Sequence, residues 1–211
     1  MKGEAAAKEL QSLKGVKGTV SSTQIDVTDD KSVDAAATRL AAEYGWLDVL
    51  VNNAGIVSSN SSPNREALRQ VLEVNVVGSL SVTEAFLDLL RKATHTPPRL
   101  IFVSSSLGSI SQAADPQSKY YRPTATEYRT SKAALNMLMV MYYARLKTEG
   151  FLVFGADPGL CATNFTGNPE SLRARGAAEP SDGGERVASV VKGEKDADVG
   201  NVLGVYGVSP F

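Results

Sequence analysis

Short apolar runs alternate with segments of helical length and periodicity along this chain. Apolar runs typical of strands occupy residues 18–27, 47–55, 99–106, 151–159 and 201–208. Around them, periodicity and capping residues predict helices at 3–13, 30–45, 63–92, 125–149 and 182–192. Such alternation is typical of βαβ units, and near-continuous apolar strands are expected when helices cover both faces of a parallel sheet. The sequence therefore predicts an α/β fold with a doubly wound parallel sheet, in a single domain over 1–211.

Capping residues predict where two of the helices begin. Ser62 and Pro63 fit the N-cap and the first position of one long apolar helix. Thr124, with Glu127 three residues later, has the pattern of a capping box. A second long helix is therefore expected to start near residue 125.

Composition and charge exclude several classes of function. The formal net charge of −1 leaves no basic excess for a phosphate backbone, so nucleic acid is not an expected partner. One histidine and one cysteine, Cys161, are too few for a zinc site or an internal disulfide, so no metal is expected. No run approaches the ~18 apolar residues of a membrane span, and the first residues carry no apolar signal core. A cytoplasmic protein is the default expectation.

Polar residues follow three of the predicted strands at the point where each ends. These clusters are "NNAG" at 52–55, "SSS" at 104–106 and "DPG" at 157–159. In doubly wound sheets, ligands bind beyond the carboxyl ends of the strands. We therefore expect the three clusters to converge on one site.

A tyrosine and a lysine in the helix at 125–149 form a candidate catalytic pair. Tyr128 and Lys132 lie four residues apart, which places them on one helical face. A lysine ammonium beside a phenol favours the phenolate, so the pair predicts a lowered pKa for the tyrosine. Such a tyrosine can exchange a proton with a substrate oxygen near neutral pH. The Tyr-x-x-x-Lys spacing also occurs by chance in many helices. The interpretation as a catalytic pair therefore depends on the converging polar clusters.

Taken in order, the motifs of this chain resemble those of the short-chain dehydrogenase/reductase family. The motifs are "DV" at 26–27, "NNAG" at 52–55, "NVVG" at 75–78, "VSSSLG" at 103–108, "YRTSK" at 128–132 and "PGLCAT" at 158–163. Together they span nearly the whole chain, and its details look most like carbonyl reductases. The resemblance implies a Rossmann-like fold and an oxidoreductase that transfers a hydride between NAD(P)H and a ketone, an aldehyde or a secondary alcohol.

The resemblance implies four catalytic residues. Tyr128 matches the acid/base that gives its proton to the carbonyl oxygen. Lys132 matches the residue that lowers that pKa and binds the nicotinamide ribose. Ser105 matches the serine that orients the substrate carbonyl, and it is preferred to its two neighbouring serines because the family pattern is Ser-Ser-x-x-Gly. Asn75 matches the asparagine that holds a water molecule in the proton relay.

The resemblance also implies a set of cofactor contacts. The matching residues are Asp26 and Val27 at the adenine, Asn53, Ala54 and Gly55 at the adenosine ribose, and Pro158, Gly159 and Thr163 at the nicotinamide, beside Tyr128 and Lys132. Likeness to carbonyl reductases favours NADP, with NAD as the alternative.

Some of these residues also have purely structural interpretations. Asp26 could cap the end of a strand. Asn52 and Asn53 could satisfy neighbouring backbone groups. Asn75 could be a hydrogen-bonded amide in the core of its helix.

Two loops are expected to shape the substrate entrance. Ser105 and Tyr128 are separated by 23 positions, which is longer than usual for the family and indicates an extra loop. Tyr120 and Tyr121 either line that entrance or only pack the loop against the domain. Residues 160–184, rich in Gly, Pro, Asn and Asp, are expected to form the substrate lid.

The family's first strand, glycine-rich turn and helix have no counterpart in this sequence. We therefore expect an N-terminally truncated domain that lacks the first βαβ portion. This expectation leaves a second hypothesis, a non-catalytic remnant that cannot hold a dinucleotide and acts only through association. The apolar helices at 63–92 and 125–149 would form its homo-oligomer contacts. A third hypothesis, a sugar-nucleotide epimerase or dehydratase, shares Tyr-x-x-x-Lys but needs a larger carboxyl-terminal substrate domain.

Overall fold

The computed structural model describes residues 2–58, 60, 62–95 and 97–211. The helices are α1 (Lys2–Ser12), α2 (Asp30–Glu43), α3 (Arg65–Leu72), α4 (Gly78–Leu90), α5 (Ile110–Ala114), α6 (Thr126–Leu146), α7 (Pro169–Ala174) and α8 (Pro180–Val191). The strands are β1 (Val49–Asn52), β2 (Arg99–Val103), β3 (Leu152–Ala156), β4 (Val202–Gly204) and β5 (Gly207–Ser209). No helix in the described ranges is long and apolar enough to cross a bilayer.

The strands form one sheet in the order β1-β2-β3-β4-β5. The first four are parallel, which confirms the predicted parallel sheet, and β5 pairs antiparallel with β4. The prediction of a single strand at 201–208 is therefore wrong, because this segment folds into a hairpin. Its two-residue turn, Val205 and Tyr206, is followed by Gly207 with φ of +92°, a conformation that favours glycine.

Side chains alternate between the two faces of the sheet and pack under helices on each side. Leu100 and Phe102 of β2 belong to the core shared with α4 and α6, whereas Ile101 packs in a second cluster with Val190 of α8. This alternation is the period of two that a strand imposes. A third cluster joins α2 to the outer side of α4.

Residues 18–27 do not form the strand that the sequence predicts. Both 18–27 and 47–53 are described throughout, and no backbone hydrogen bond joins them. A groove of about 270 Å³ lies between them, with Ile25 and Val27 on one side and Leu50 on the other. Strand structure requires a hydrogen-bonded neighbour, and β1 is too far away to provide it. In the described part of the chain, β1 is therefore an edge strand.

The caps of two helices differ from the predicted ones, although α6 begins where the sequence predicts, near residue 125. Helix α3 is capped by Asn64, whose side chain accepts hydrogen bonds from the N–H groups of Glu66 and Ala67, so the Ser62–Pro63 cap is wrong. Helix α6 follows Ala125, at φ of +54°, without a capping box. Glu127 instead accepts a hydrogen bond from Asn64 N–H at 2.7 Å, because a long-range partner lies within reach of its carboxylate.

Candidate active site

The polar clusters converge because the parallel strands end at one edge of the sheet. Asn52 pairs with Phe102, and Val103 pairs with Ala156, so "NNAG", "SSS" and "DPG" begin side by side. Helix α6 runs beneath this edge. A methyl group added to Gly108 would lie 2.7 Å from the carbonyl carbon of Lys132. The absence of a side chain at this position therefore lets the loop after β2 contact α6.

Lys132 is a buried cation at the centre of the converging loops. Its Nζ donates a hydrogen bond to the Val103 carbonyl at 2.7 Å and lies 5.6 Å from the centre of the Tyr128 ring. A methyl group on Gly55 would lie 3.9 Å from the same nitrogen. Burial lowers the pKa of Lys132 to about 8, and the nearby Asp157 carboxylate opposes that shift.

The phenol of Tyr128 has a raised pKa, which corrects the sequence-based expectation. Burial raises the pKa of Tyr128 to about 12, a hydrogen bond with the Ser105 side chain lowers it, and Asp157 adds to the increase. Desolvation prevails because Lys132 Nζ faces the ring and donates to a backbone carbonyl. In this structure, Tyr128 therefore holds its proton at neutral pH.

The three consecutive serines have different partners. The Ser104 hydroxyl is buried and donates to Asn136 Oδ1 on α6. The Ser106 hydroxyl donates to Asp157. Ser105 is the serine whose side chain interacts with Tyr128, and it also accepts a hydrogen bond from Leu107 N–H at 3.2 Å. The structure thus brings Ser105, Tyr128 and Lys132 together.

Asn75 lies in a π-helical turn, Glu73–Val77, between α3 and α4, and its side chain is fully buried. Its Oδ1 accepts a hydrogen bond from Ile56 N–H at 2.8 Å, and its Nδ2 donates to the Ile56 carbonyl and to Ser131 Oγ. The Ser131 hydroxyl in turn donates to the Tyr128 carbonyl. These contacts fit the interpretation as a hydrogen-bonded core amide, and the water-holding role stays a prediction. Ser131, which links Asn75 to Tyr128, was not among the site residues predicted from the sequence, although it lies inside "YRTSK".

Asn53, Ala54 and Gly55 form the loop that leaves β1 beside the groove. Asn53 and Ala54 are exposed there, whereas Asn52 is buried and donates from Nδ2 to Thr83 Oγ1 at 2.9 Å. The Asn52 side chain is thus engaged in a hydrogen bond to the neighbouring helix α4. Asn53 and Ala54 are exposed and accessible to a ligand in the groove.

Asp26 and Val27 lie in a turn that precedes α2. Asp26 Oδ1 accepts hydrogen bonds from the N–H and the hydroxyl of Thr28, which lower the pKa of this exposed carboxyl. Val27 packs against Gly78, where an added methyl group would lie 2.8 Å from Val27 Cγ2. Asp26 therefore supports a turn and does not cap a strand.

The segment after β3 carries the predicted nicotinamide contacts. Gly159, at φ of +78°, donates its N–H to Asp157, and the Pro158 carbonyl accepts from Arg186 of α8. Thr163 Oγ1 accepts from Phe165 N–H at 3.3 Å. The Phe165 ring meets the Tyr128 ring edge-on at 6.0 Å between centroids. Sequence reasoning did not single out Phe165, because only folding places it over the tyrosine.

The arrangement fits the nicotinamide and ribose half of a dinucleotide. An ammonium has three donors, and among the described residues Lys132 uses one, on the Val103 carbonyl. The other two are available to vicinal hydroxyl groups such as those of a ribose. Among the described residues, no three His, Cys, Asp or Glu side chains are grouped as metal ligands would be.

Comparison with known proteins agrees with this geometry. A family model described as short chain dehydrogenase matches residues 1–173. The short-chain dehydrogenase/reductase tropE of Talaromyces stipitatus is 36% identical over 228 aligned residues, which cover 99% of this chain and 84% of that protein.

Solved structures show the same fold. The NADPH-bound carbonyl reductase from chicken fatty liver is 27% identical, with a TM-score of 0.76 over 97% of this chain and 82% of that one. A 3-oxoacyl-[acyl-carrier protein] reductase from Brucella melitensis, in complex with NAD, has a TM-score of 0.79 at 24% identity over 95% of this chain and 81% of that one. The predicted Rossmann-like fold is thereby confirmed. With the match to the family model and the tropE relative, it shows that the chain belongs to the short-chain dehydrogenase/reductase family of nicotinamide-dinucleotide-dependent oxidoreductases.

Proposed function

We propose that this chain transfers a hydride between NAD(P)H and a ketone or aldehyde, or the corresponding secondary alcohol. The observation that carries the proposal is the convergence of Ser105, Tyr128 and Lys132 at the carboxyl edge of the sheet. A hydroxyl donor beside a protonated phenol and a cation is an arrangement that can polarise a carbonyl oxygen and protonate it.

Each residue has a defined part in the reduction. A reduced nicotinamide, when bound, supplies the hydride to the carbonyl carbon. The Ser105 hydroxyl donates a hydrogen bond to the carbonyl oxygen and stabilises the charge that develops there. Tyr128 gives its phenolic proton to the same oxygen, which completes the alcohol. Lys132 binds the ribose hydroxyls and places a positive charge 5.6 Å from the centre of the Tyr128 ring.

The raised pKa of Tyr128 supports a preference for the direction of reduction. A phenol with a pKa of about 12 is protonated at neutral pH and is ready to donate. Oxidation of an alcohol needs the phenolate at the start, and burial disfavours that form. Carbonyl reduction is therefore the direction we expect this site to catalyse faster at pH 7.

NADP is the cofactor that we propose. The chicken carbonyl reductase, which is 27% identical to this chain, was solved with NADPH. The Brucella melitensis reductase was solved with NAD at 24% identity, so NAD is the alternative to be compared in the same assay.

We propose that residues 160–184 act as the substrate lid. This segment contains α7, contacts itself through a bridge between Cys161 and Ala178, and carries Phe165 to the Tyr128 ring. An aromatic side chain beside the phenol would exclude water from the proton transfer.

The loop between Ser105 and Tyr128 is held against the carboxyl terminus of the chain. Lys119 lies over the rings of Tyr120 and Tyr206, at 5.0 and 4.0 Å from their centres. Tyr120 is half-buried and Tyr121 is exposed, so Tyr120 packs the loop down and Tyr121 is the one free to line the entrance.

Replacement of the phenol tests the proposed function. We expect Tyr128→Phe to lose about 10²–10⁴-fold in carbonyl-dependent NADPH oxidation, because the proton donor is removed while the ring remains. NADPH binding, measured by fluorescence titration, should persist in Tyr128→Phe and be lost in Lys132→Ala. Tyr44→Phe, at the exposed end of α2, is the matched control. Turnover by Tyr128→Phe at the rate of the unaltered chain would refute the mechanism.

The same titration tests the alternative function, association without catalysis. The observation that favours it is the unpaired outer edge of β1, which no strand covers in the described part of the chain. A folded chain that binds neither NADPH nor NADH would support this alternative and overturn the proposed reductase.

A further inference from the structure

Asp157 is a buried carboxylate that the proposed mechanism does not use. It follows β3 directly, is 4% exposed, and donates its own N–H to the Leu203 carbonyl of β4 at 2.7 Å. Its backbone is thus anchored to the sheet on the side away from the reacting groups. Its side chain reaches toward the neighbouring loop, to Ser106.

The Asp157 carboxylate joins two loops that the sheet itself does not hold together. Oδ2 accepts hydrogen bonds from the N–H and the hydroxyl of Ser106, and Oδ1 accepts from Gly159 N–H at 2.8 Å. The last ladder bond between these chain segments, Ser104 N–H to the Ala156 carbonyl, comes just before. Beyond that point, this carboxylate is the direct hydrogen-bonded link between the loops in the described residues.

One of the two loops carries the group proposed to bind the substrate carbonyl, and the other belongs to the segment proposed to contact the nicotinamide. Ser106 is next to Ser105, which is aimed at the Tyr128 phenol. Gly159 belongs to the segment expected over the nicotinamide. The distance between the substrate carbonyl and the hydride donor therefore depends on how closely the two loops approach each other. A change of about 1 Å in such a distance can cost on the order of 10²-fold in rate.

We propose that Asp157 is a positioning residue that fixes the Ser105 loop against the Pro158–Gly159 turn and places a negative charge beside the Tyr128–Lys132 pair. This inference rests on the proposed function and adds a residue to it. Geometry supplies the first role, through three hydrogen bonds to one buried carboxylate. The same placement supplies the second, because the carboxylate is bonded to Ser106, the neighbour of the serine that meets Tyr128, and its charge acts on both Tyr128 and Lys132.

Other charged groups around this carboxylate act more locally. Arg186 of α8 donates to the Pro158 carbonyl, and Arg186, Asp157 and Asp182 all act on the Cys161 thiol. The Ser209 hydroxyl lies 3.4 Å from Ser106 Oγ. The charge on Asp157 is the one among these that raises the pKa values of both Tyr128 and Lys132, so its removal is expected to lower both.

Two variants separate the two roles. Asp157→Asn keeps the shape but removes the charge and puts an amide N–H against one of the donors. Ser106→Ala removes one hydrogen bond and keeps the charge. Asp34→Asn, on the exposed side of α2, removes a carboxylate far from the site and is the matched control. The readouts are the pH profile of carbonyl reduction and the pKa of Lys132, from nuclear magnetic resonance of ¹³C-lysine-labelled protein.

We expect Asp157→Asn to slow reduction by about tenfold or more, and to move the alkaline limb of the profile to lower pH by about half a unit or more. The Lys132 resonance should titrate at a correspondingly lower pH. Ser106→Ala should slow reduction several-fold without moving the Lys132 pKa. A folded Asp157→Asn variant with unchanged rate and unchanged Lys132 pKa would overturn the inference. A reduced rate with no displacement of the Lys132 pKa or of the alkaline limb would overturn it too, since that result indicates a purely structural role.

The outcomes also distinguish this inference from the proposed function. If Asp157→Asn does not fold, Ser106→Ala decides, and a rate equal to that of the unaltered chain overturns the positioning role. If the unaltered chain reduces no carbonyl compound, the proposed function fails. The Lys132 titration needs no turnover, so it still supports or refutes the effect of the Asp157 charge.

Discussion

Lys132 shows how a single residue of the proposed site can oppose the stability of the fold. Its pKa is about 8 in the folded chain, below the ordinary value of 10.5, because burial disfavours the ammonium. Below pH 8 the folded state therefore carries the full cost of the buried charge. Between pH 8 and 10.5 the unfolded chain binds more protons than the folded one, so stability rises with pH.

We expect Lys132→Met to stabilise the protein while it abolishes cofactor binding. At pH 7 the free energy of unfolding should rise by about 1–3 kcal/mol, since the desolvated charge is replaced by a side chain of similar length. The gain should shrink as the pH is raised from 8 toward 10.5. Urea denaturation at several pH values measures the gain in stability and its dependence on pH, with the exposed Lys17→Met as control. A destabilised Lys132→Met at pH 7 would contradict this account.

Among the elements, the 3₁₀ turn Ser106–Gly108 links the substrate side of the site to α6. A methyl group on Gly108 would lie 2.7–2.9 Å from the Lys132 carbonyl carbon, its oxygen and its Cβ. Backbone atoms of a packed helix cannot move aside without cost. The spacing between Ser105 and the tyrosine–lysine pair is therefore set by the absence of a side chain at this one position.

Gly108→Ala should consequently damage both stability and activity. We expect a loss of about 2–4 kcal/mol in the free energy of unfolding, typical of overpacking against backbone. Carbonyl reduction should fall as well, because the turn must move away from α6. Gly18→Ala, where an added methyl group meets nothing within 4 Å, is the matched control and should differ by less than about 0.5 kcal/mol. Equal denaturation midpoints for Gly108→Ala and the unaltered chain would refute the tight contact.

At the scale of the whole molecule, α4 and α6 leave apolar side chains on the surface. Leu80 is 41% exposed on α4, and Met137 and Met141 are 61% and 52% exposed on α6. The two helices are joined here by the Tyr142 hydroxyl, which donates to Glu84 at 2.6 Å. Exposed apolar side chains on adjacent helices are typical of an interface between subunits.

We predict that a second copy of the chain covers this face. Sedimentation velocity should show concentration-dependent dimers, and Met137→Glu with Met141→Glu should shift them to monomers, because buried carboxylates would lack partners. Leu10→Glu, an equally exposed apolar position on α1, should leave the dimer intact. A concentration-independent monomer for the unaltered chain would contradict the prediction.

Much of the molecule follows from local sequence alone. Apolar runs predicted β1, β2 and β3, and the residues that follow each run were expected to meet at one edge, because parallel strands share a direction. The identities of Ser105, Tyr128 and Lys132 came from spacing and resemblance, and the fold brings them together.

Features that depend on distant partners could only be seen in the folded chain. Residues 18–27 have the composition of a strand but no neighbour to bond with, and pairing is a property of two segments. Glu127 takes no part in the expected capping box and instead accepts a hydrogen bond from Asn64, 63 positions away. Asp157 accepts a hydrogen bond from Ser106, 51 positions away. The pKa of Tyr128 is raised because burial outweighs the hydrogen bond with the Ser105 side chain. Local pattern determines which residues can form an element, whereas hydrogen-bond partners and desolvation exist only once separate parts of the chain are packed together.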